Sequence, residues 1–199
     1  ESTFSALKAQ GRKALIPFSG AFEAAMGRVM DEVRPDIFHT HSLTDVSTRA
    51  WLAAAERRIP IVHTLRDYDL LCSNSAMFLN GKTCTTRHLK CQVLTAAKRG
   101  HHQHVAAVVG VGQGILQTHL DHGYFAHVPA HLRRAIWNPA VLDGTINPAL
   151  RPAPDAPMVF GYIGRINVEK GVGTLLRACR RLPPGSWKLV IAGKAPTAD

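Results

Sequence analysis

The chain has 199 residues, of which 46% are hydrophobic and 19% charged, a composition that suits a globular protein and argues against disorder. Its 24 basic and 14 acidic residues give a net charge of +10, which favours anionic partners. Phosphorylated metabolites and an anionic membrane surface both qualify. The basic residues are dispersed and only 7% of residues are aromatic, so we expect no nucleic-acid partner. Four cysteines are too few for a disulfide scaffold, and no apolar run approaches the roughly 20 residues of a membrane span.

Strand and helix patterns alternate along residues 1–138. A helix that ends before Pro35 has its apolar face at Phe18, Phe22, Met26, Val29, Met30 and Val33. Apolar strands are predicted at 36–41, 60–65, 105–111 and 134–138, with one helix beginning near Asp45 and another at about 113–122. An irregular stretch from 66 to about 89 contains the turn signal Asn80-Gly81. This alternation predicts an α/β fold with a parallel, doubly wound, Rossmann-like sheet.

A second α/β part follows a change of composition. Five prolines between Pro139 and Pro157 indicate a linker. Beyond it, strands are predicted at 158–163 and 187–192, on either side of a helix whose apolar face carries Val172, Leu175, Leu176, Cys179 and Leu182. We therefore expect a partial N-terminal domain (1–138), an interdomain linker (139–157) and the start of a second domain (158–199). Two strands and one helix are too few for a stable separate sheet, so we expect this second domain to be truncated.

The junction after the strand 158–163 predicts an anion site. The strand ends at Gly164-Arg165, and Lys170-Gly171 opens the next helix. Helix N-termini favour anions, because their free N–H groups and positive dipole end point outward. Arginine adds a planar fork for phosphate oxygens and lysine adds a compact charge. The segment therefore predicts a site for a phosphate ligand, with an ordinary basic surface loop as the alternative.

Cysteine and histidine residues raise the question of zinc. A zinc site could form from Cys72, Cys84 and Cys91, with His88, His101, His102 and His104 nearby. The cysteines are separated by 11 and 6 residues, spacings that match no common zinc finger or ribbon. We therefore expect no structural zinc at these cysteines, and a buried thiol cluster or a disulfide instead. The segment His101-His102-Gln103-His104 is expected to be a solvated turn between a helix and a strand.

The order of these motifs resembles that of the group-one (family 4-like) retaining GT-B glycosyltransferases. The resemblance covers about residues 30 to 195 and rests on Pro35-Asp36-Ile37-Phe38-His39-Thr40-His41, Thr64-Leu65-Arg66-Asp67-Tyr68 with Cys72, Asn138-Pro139, Gly164-Arg165 with Lys170-Gly171, and Ile191-Ala192-Gly193. Arg66 replaces a histidine of the family pattern. The family's first Gly-rich loop and its paired glutamates have no counterpart, so we expect the chain to be a central fragment of a longer protein.

The resemblance implies that a sugar moves from a nucleotide-diphosphate-sugar donor to a glycan or lipid-linked acceptor with retention of configuration. It points to assembly of cell-surface polysaccharide or lipopolysaccharide, in the cytoplasm or at the cytoplasmic face of the membrane. No cofactor or metal is implied, since the nucleotide sugar is a substrate. The alternative is a truncated relative that binds a phosphorylated ligand or a partner without turnover. A zinc-stabilised nucleic-acid binder is a third and weaker option.

The resemblance also assigns roles to individual residues. Arg165 and Lys170 would stabilise the leaving diphosphate, and His41 would face the reacting sugar. The remaining assignments are donor binding for Gly164, Gly171 and Gly193, the acceptor side for Arg66, Asp67 and Tyr68, and the hinge for Asn138 and Pro139.

Overall fold

The computed structural model describes residues 20–43, 47–139 and 156–195. These residues divide into two compact units, the first made of 20–43, 47–79 and 83–139 and the second of 80–82 and 156–195. Most of the predicted linker lies outside the described residues. The helices are α1 (Gly20–Val33), α2 (Arg49–Glu56), α3 (Leu89–Leu94), α4 (Ala96–His101), α5 (Gln113–Asp121) and α6 (Val172–Cys179). The strands are β1 (Phe38–His41), β2 (Ile61–Leu65), β3 (Phe78–Leu79), β4 (Lys82–Thr83), β5 (Val105–Gly110), β6 (Arg133–Ala135), β7 (Met158–Ile163) and β8 (Trp187–Ala192).

A four-stranded parallel sheet in the order β1-β2-β5-β6 organises the first unit. Helix α2 connects β1 to β2, and α5 connects β5 to β6. The four strands are the ones that the sequence predicts, each within a few residues of its expected bounds. The predicted parallel α/β architecture is therefore confirmed, and all four strands end at the same edge of the sheet.

The core of the first unit is built around large aromatic side chains. Trp51, Tyr124 and Phe125 are fully buried, each at 0% exposure. The Trp51 indole donates a hydrogen bond to Thr40 Oγ1 at 3.1 Å, and the Tyr124 hydroxyl donates to the Leu70 carbonyl at 2.8 Å. Each buried polar atom on these rings thus has a partner, as a stable core requires.

The second unit buries much less. Strands β7 and β8 pair in parallel, from Met158 opposite Trp187 to Ile163 opposite Ala192. Helix α6 buries Val172 and Cys179, two of the residues on its predicted apolar face. Leu176 on the same helix is 45% exposed. Strand β7 is exposed along nearly its whole length, in contrast to the buried strand that its apolar sequence predicts.

Several local predictions differ from the structure. Helix α2 begins at Arg49, with Thr48 as its N-cap, whereas Asp45 lies outside the described residues. Val33 on α1 is 65% exposed, so only part of the predicted apolar face is covered. The Asn80-Gly81 turn is confirmed: both residues have positive φ, 50° and 78°, as a two-residue hairpin between β3 and β4 requires.

The segment His101–His104 is not the solvated turn that its polarity suggests. His102 is only 6% exposed and packs against the rings of Tyr124 and Phe125. His101 Nδ1 lies 2.7 Å from the hydroxyl oxygen of Thr48, the N-cap residue of α2. The first two histidines therefore belong to the packing of the unit, and their pKa values are lowered, chiefly by burial.

Across the described ranges, no helix combines the length and apolar character needed to cross a lipid bilayer.

Candidate functional site

The carboxyl edge of the four-stranded sheet collects the predicted residues of the first unit. His41 ends β1, and Arg66, Asp67 and Tyr68 directly follow β2. Asn138 lies three residues beyond the end of β6. Open parallel sheets bind their ligands outside the carboxyl ends of their strands. The fold thus brings these residues to the edge at which a ligand is expected.

His39 and His41 lie on the same face of β1, and both are exposed. Their ring centroids are 4.2 Å apart. His39 Nε2 lies 2.9 Å from Thr64 Oγ1 on the neighbouring strand, so this imidazole is tied to the sheet. Burial and the neighbouring His41 lower the pKa of His39. His41 is the last residue of β1, and the His39 ring packs against the His41 ring from within the strand.

Asp67 is held in place by its neighbours. The hydroxyl of Ser42, which follows His41, donates to Asp67 Oδ2, and the backbone N–H of Asp69 donates to Asp67 Oδ1 at 2.8 Å. Ser42 joins the ends of β1 and β2 in this way, a role that no sequence motif indicated. Its φ of 42° is rare for a residue with a side chain, and such strain concentrates at functional sites.

The other two acceptor-side candidates differ in exposure. Arg66 is exposed. Tyr68 is half-buried, and its ring stacks on His119 with centroids 5.7 Å apart and ring planes 8° apart. Tyr68 therefore has a packing role in this unit, whereas the guanidinium of Arg66 is available to a ligand.

Trp137 is a feature of this edge that the sequence predictions missed. Its indole is 75% exposed. It covers Gly112, the N-cap residue of α5, where an added Cβ would lie 3.5 Å from the ring. An exposed indole beside a helix N-terminus at the carboxyl edge is a surface on which a planar or sugar ring can stack. The run Val109-Gly110-Val111-Gly112, which ends β5 and leads into α5, was the sequence signal for a close approach at this position.

Three histidines of the first unit are buried, with exposures of 6% or less. Burial lowers the pKa of His63 to about 3, and the pKa values of His102 and His119 to about 4. His63 Nδ1 lies 2.9 Å from Thr40 Oγ1. His119 Nδ1 lies 2.8 Å from the Ile115 carbonyl, so it carries the proton. All three imidazoles are therefore neutral at physiological pH and belong to the core.

Lys98 on α4 forms a largely buried ion pair with Asp69. Its ammonium donates to Asp69 Oδ2 at 2.7 Å, and the two side chains are only 12% and 8% exposed. The basic residues of the segment 96–100 could contact an anionic membrane surface only if they reach solvent. Because Lys98 neutralises a buried carboxylate, it is not one of the charges that this surface offers.

The predicted anion site lies within the second unit, between β7 and α6. Gly164 and Arg165 follow β7, and a 3₁₀ turn (Val168–Lys170) leads into α6. The Tyr162 hydroxyl donates to the Arg165 carbonyl at 2.8 Å. Asn167 caps the turn by accepting from the Lys170 N–H at 3.0 Å. The loop is thus fixed by its own hydrogen bonds, and both cationic side chains are exposed on it.

Glycine is required at two points of this loop. Gly171 is the N-cap residue of α6 and has a φ of 74°, in the left-handed region. Gly193, at the end of β8, packs directly on Gly164, where an added Cβ would lie 1.8 Å from the Gly164 carbonyl oxygen. The two strand ends therefore approach each other through glycine alone, and this contact positions the start of the loop.

A cavity of about 350 Å³ opens beside the N-terminus of α6. Its lining residues are Ile166, Asn167, Val168, Gly171, Val172, Gly173, Thr174 and Arg177. Gly171 is the one predicted site residue among them. Arg177, whose guanidinium donates to Thr174 Oγ1 at 2.9 Å, brings a further positive charge that the sequence predictions missed. Its position in the sequence was the available signal, since Arg177 lies five residues after Val172, the first residue of α6.

Comparison with known proteins supports the fold. No family model matches the chain. An uncharacterized 42.6 kDa protein in the cps region of Klebsiella pneumoniae is 27% identical over 144 residues, which are 72% of this chain and 36% of that protein. The chain thus spans about a third of the length of this curated relative.

Two solved structures are similar in fold. The apo form of the lipopolysaccharide outer core galactosyltransferase WaaB matches with a TM-score of 0.57 at 18% identity, over 86% of this chain and 40% of WaaB. Anabaena HepE in complex with UDP matches with a TM-score of 0.51 at 15% identity, over 88% of this chain and 44% of HepE. The α/β fold with parallel sheets is therefore that of GT-B glycosyltransferase structures.

Proposed function

We propose that this chain is part of a retaining glycosyltransferase that moves a sugar from a nucleotide-diphosphate donor to a glycan or lipid-linked acceptor. The observation that carries the proposal is the loop between β7 and α6, where Arg165 and Lys170 stand exposed on a backbone fixed by its own hydrogen bonds. Similarity of fold to a lipopolysaccharide galactosyltransferase and to a protein solved with UDP supports it. The relative from a cps region supports a role in cell-surface polysaccharide assembly.

The chemistry of the proposed reaction explains these residues. Negative charge grows on the diphosphate as the glycosidic bond breaks, so cations that hold the diphosphate stabilise the transition state more than the ground state. Arg165 and Lys170 supply that charge, and Gly164, Gly171 and Gly193 give the phosphates access to the backbone. His41 contacts the transferred sugar. With retention by attack on the leaving-group side, no enzymatic nucleophile is needed.

The acceptor side is formed by residues that follow β2 and β6. Arg66 recognises an anionic group on the acceptor, Asp67 accepts hydrogen bonds from its hydroxyls, and the exposed indole of Trp137 stacks on a sugar ring. Asn138 and Pro139 form the hinge. The reaction takes place in the cytoplasm, where the net charge of +10 favours an approach to anionic lipid.

A transfer assay tests the proposal. The protein that contains this chain is incubated with UDP-, GDP- and ADP-sugars, and the anomeric configuration of any product is read by NMR. We expect transfer with retention, and His41→Ala should lower the rate without weakening binding of the free nucleotide. Binding without transfer would support the alternative, a non-catalytic binding module. Absence of binding to all three donors would contradict both.

A further inference from the structure

Three of the four cysteines come together in the segment that follows β2. Cys72, Cys84 and Cys91 line one small cavity, and the imidazole of His88 lines it with them. Cys72 Sγ lies 3.9 Å from Cys91 Sγ, and Cys84 Sγ lies 3.6 Å from His88 Nε2. All three thiols are free. Of the four histidines that lie near these cysteines in the sequence, His88 is the one that lines this cavity.

The two distances equal those between ligands of a tetrahedral zinc ion. Zn–S bonds of about 2.3 Å and Zn–N bonds of about 2.0–2.1 Å separate two thiolates by about 3.8 Å, and a thiolate from an imidazole nitrogen by about 3.6 Å. Three thiolates and one imidazole are also a preferred ligand set of structural zinc. In the part of the chain that the structure describes, no group of three or more such side chains is arranged to hold a metal ion, so zinc binding requires these side chains to rotate toward the cavity. The two pairs line the same cavity, in which rotation of the four side chains would bring all four ligand atoms around one ion.

The helix and strands of this segment are short, and its anchors in the core are Leu70, Leu71, Cys72 and Met77. Strands β3 and β4 have two residues each, and α3 has six residues, none of them buried. Elements this short are not stable through their own hydrogen bonds. Arg87 supports the segment by donating to the Leu71 carbonyl at 3.0 Å and to Thr95 Oγ1. Its guanidinium also lines the cavity, where it offsets the negative charge of thiolates.

We propose that Cys72, Cys84, His88 and Cys91 bind one structural zinc ion. The ion joins the turn after β2 to the residue that follows β4 and to the first turn of α3, where His88 is the N-cap and Cys91 the third helical residue. Four protein ligands close the coordination sphere, so the ion holds the segment together and leaves no position for a substrate. This site is independent of the proposed sugar transfer.

Metal analysis of the reduced chain, purified without a polyhistidine tag, tests the site directly. We expect one zinc ion per chain. Replacement by Co²⁺ should give the intense visible absorption of tetrahedral thiolate coordination. A folded, reduced chain that takes up no stoichiometric zinc after incubation with Zn²⁺ and desalting would overturn the proposal. A disulfide between Cys72 and Cys91 in chain isolated without reductant would do the same.

Variants separate these ligands from other cysteines and histidines. His88→Ala should lower the affinity for zinc by more than the roughly 10–100-fold that follows from loss of a hydrogen bond to a metal ligand. His88→Cys should retain the ion with four thiolates. Cys179→Ser and His131→Ala, which alter residues outside the cavity, should bind zinc like the parent chain. Because His88 is exposed, its alanine variant should still fold. Equal zinc affinity in His88→Ala and His131→Ala would contradict the assignment.

Discussion

The first and second units differ in where they place apolar surface and where they place charge. The first encloses Trp51, Tyr124 and Phe125 at 0% exposure, whereas the second leaves Ile163 91% and Met158 60% exposed. The second nevertheless holds the loop with Arg165 and Lys170. The buried core and the proposed donor chemistry therefore reside in separate parts of the chain, and a mutation can change one of them without the other.

Histidines sharpen this contrast, because all 11 lie between His39 and His131 and the sequence after residue 139 has none. The folded pKa values of His63, His102 and His119, about 3, about 4 and about 4, lie below the unfolded value of 6.5. Their contribution to stability is therefore complete above pH 6.5 and is lost as the pH falls toward 4. Each pKa unit corresponds to about 1.4 kcal/mol.

The largest expected effect is thus acid destabilisation of the first unit. Lowering the pH from 6.5 to 5 should cost about 1.6 kcal/mol for each of the three histidines, because the unfolded chain takes up a proton that the folded chain does not. Hydrogen exchange should show faster opening of β2 and β5, with β7 and β8 changed little. Equal acceleration in both units, or none in either, would contradict this account.

Removing a core indole should have the next largest effect. Trp51→Ala deletes a fully buried ring and should cost about 3–5 kcal/mol in the free energy of unfolding. Trp187→Ala, in the half-buried β8, should cost about half of that or less. Urea denaturation followed by far-UV circular dichroism measures both, and Trp137→Ala is the exposed control. Equal losses for Trp51 and Trp187 would show that the two units do not differ in burial as described.

A smaller effect is expected where the second unit depends on glycine. Gly193→Ala forces a methyl group against the Gly164 carbonyl and should cost about 1–3 kcal/mol, as overpacking does. Gly161→Ala is the matched control, because an added Cβ there meets nothing within 4 Å. Amide protection in β7 and β8 should fall in the first variant and persist in the second. Unchanged protection in Gly193→Ala would refute the packing argument.

Much of the fold follows from sequence periodicity, and the site follows less fully. Apolar runs predicted six of the eight strands, and Asn80-Gly81 predicted the hairpin turn that joins the remaining two. The exposure of β7 was not predictable from its sequence. An apolar run shows that a strand can be buried, but it does not show whether another element packs on it. Pairings across the sheet, such as Ser42 with Asp67, are also invisible to spacing, since the two residues are 25 positions apart.

Histidine roles show the same limit. His101 and His102 read as solvated because they stand in a polar run, yet the fold buries His102 against Phe125. His88 is one of four histidines near the three cysteines in the sequence, and only the fold shows that its Nε2 lies 3.6 Å from Cys84 Sγ. The local sequence gives the residue types and their periodicity. Whether a histidine is protonated or binds a metal depends on the residues that the fold brings next to it.

Calorimetric titration of UDP into the chain tests the central claim, that the loop between β7 and α6 binds a nucleotide diphosphate through Arg165. Arg165→Ala should lose about 1.5–3 kcal/mol of binding free energy, a weakening of roughly ten- to hundred-fold, because a charge-assisted hydrogen bond is removed. Arg181→Ala, an exposed arginine beyond the end of α6, should bind UDP like the parent chain. Equal affinity of Arg165→Ala and the parent chain, or equal losses in both variants, would contradict the account.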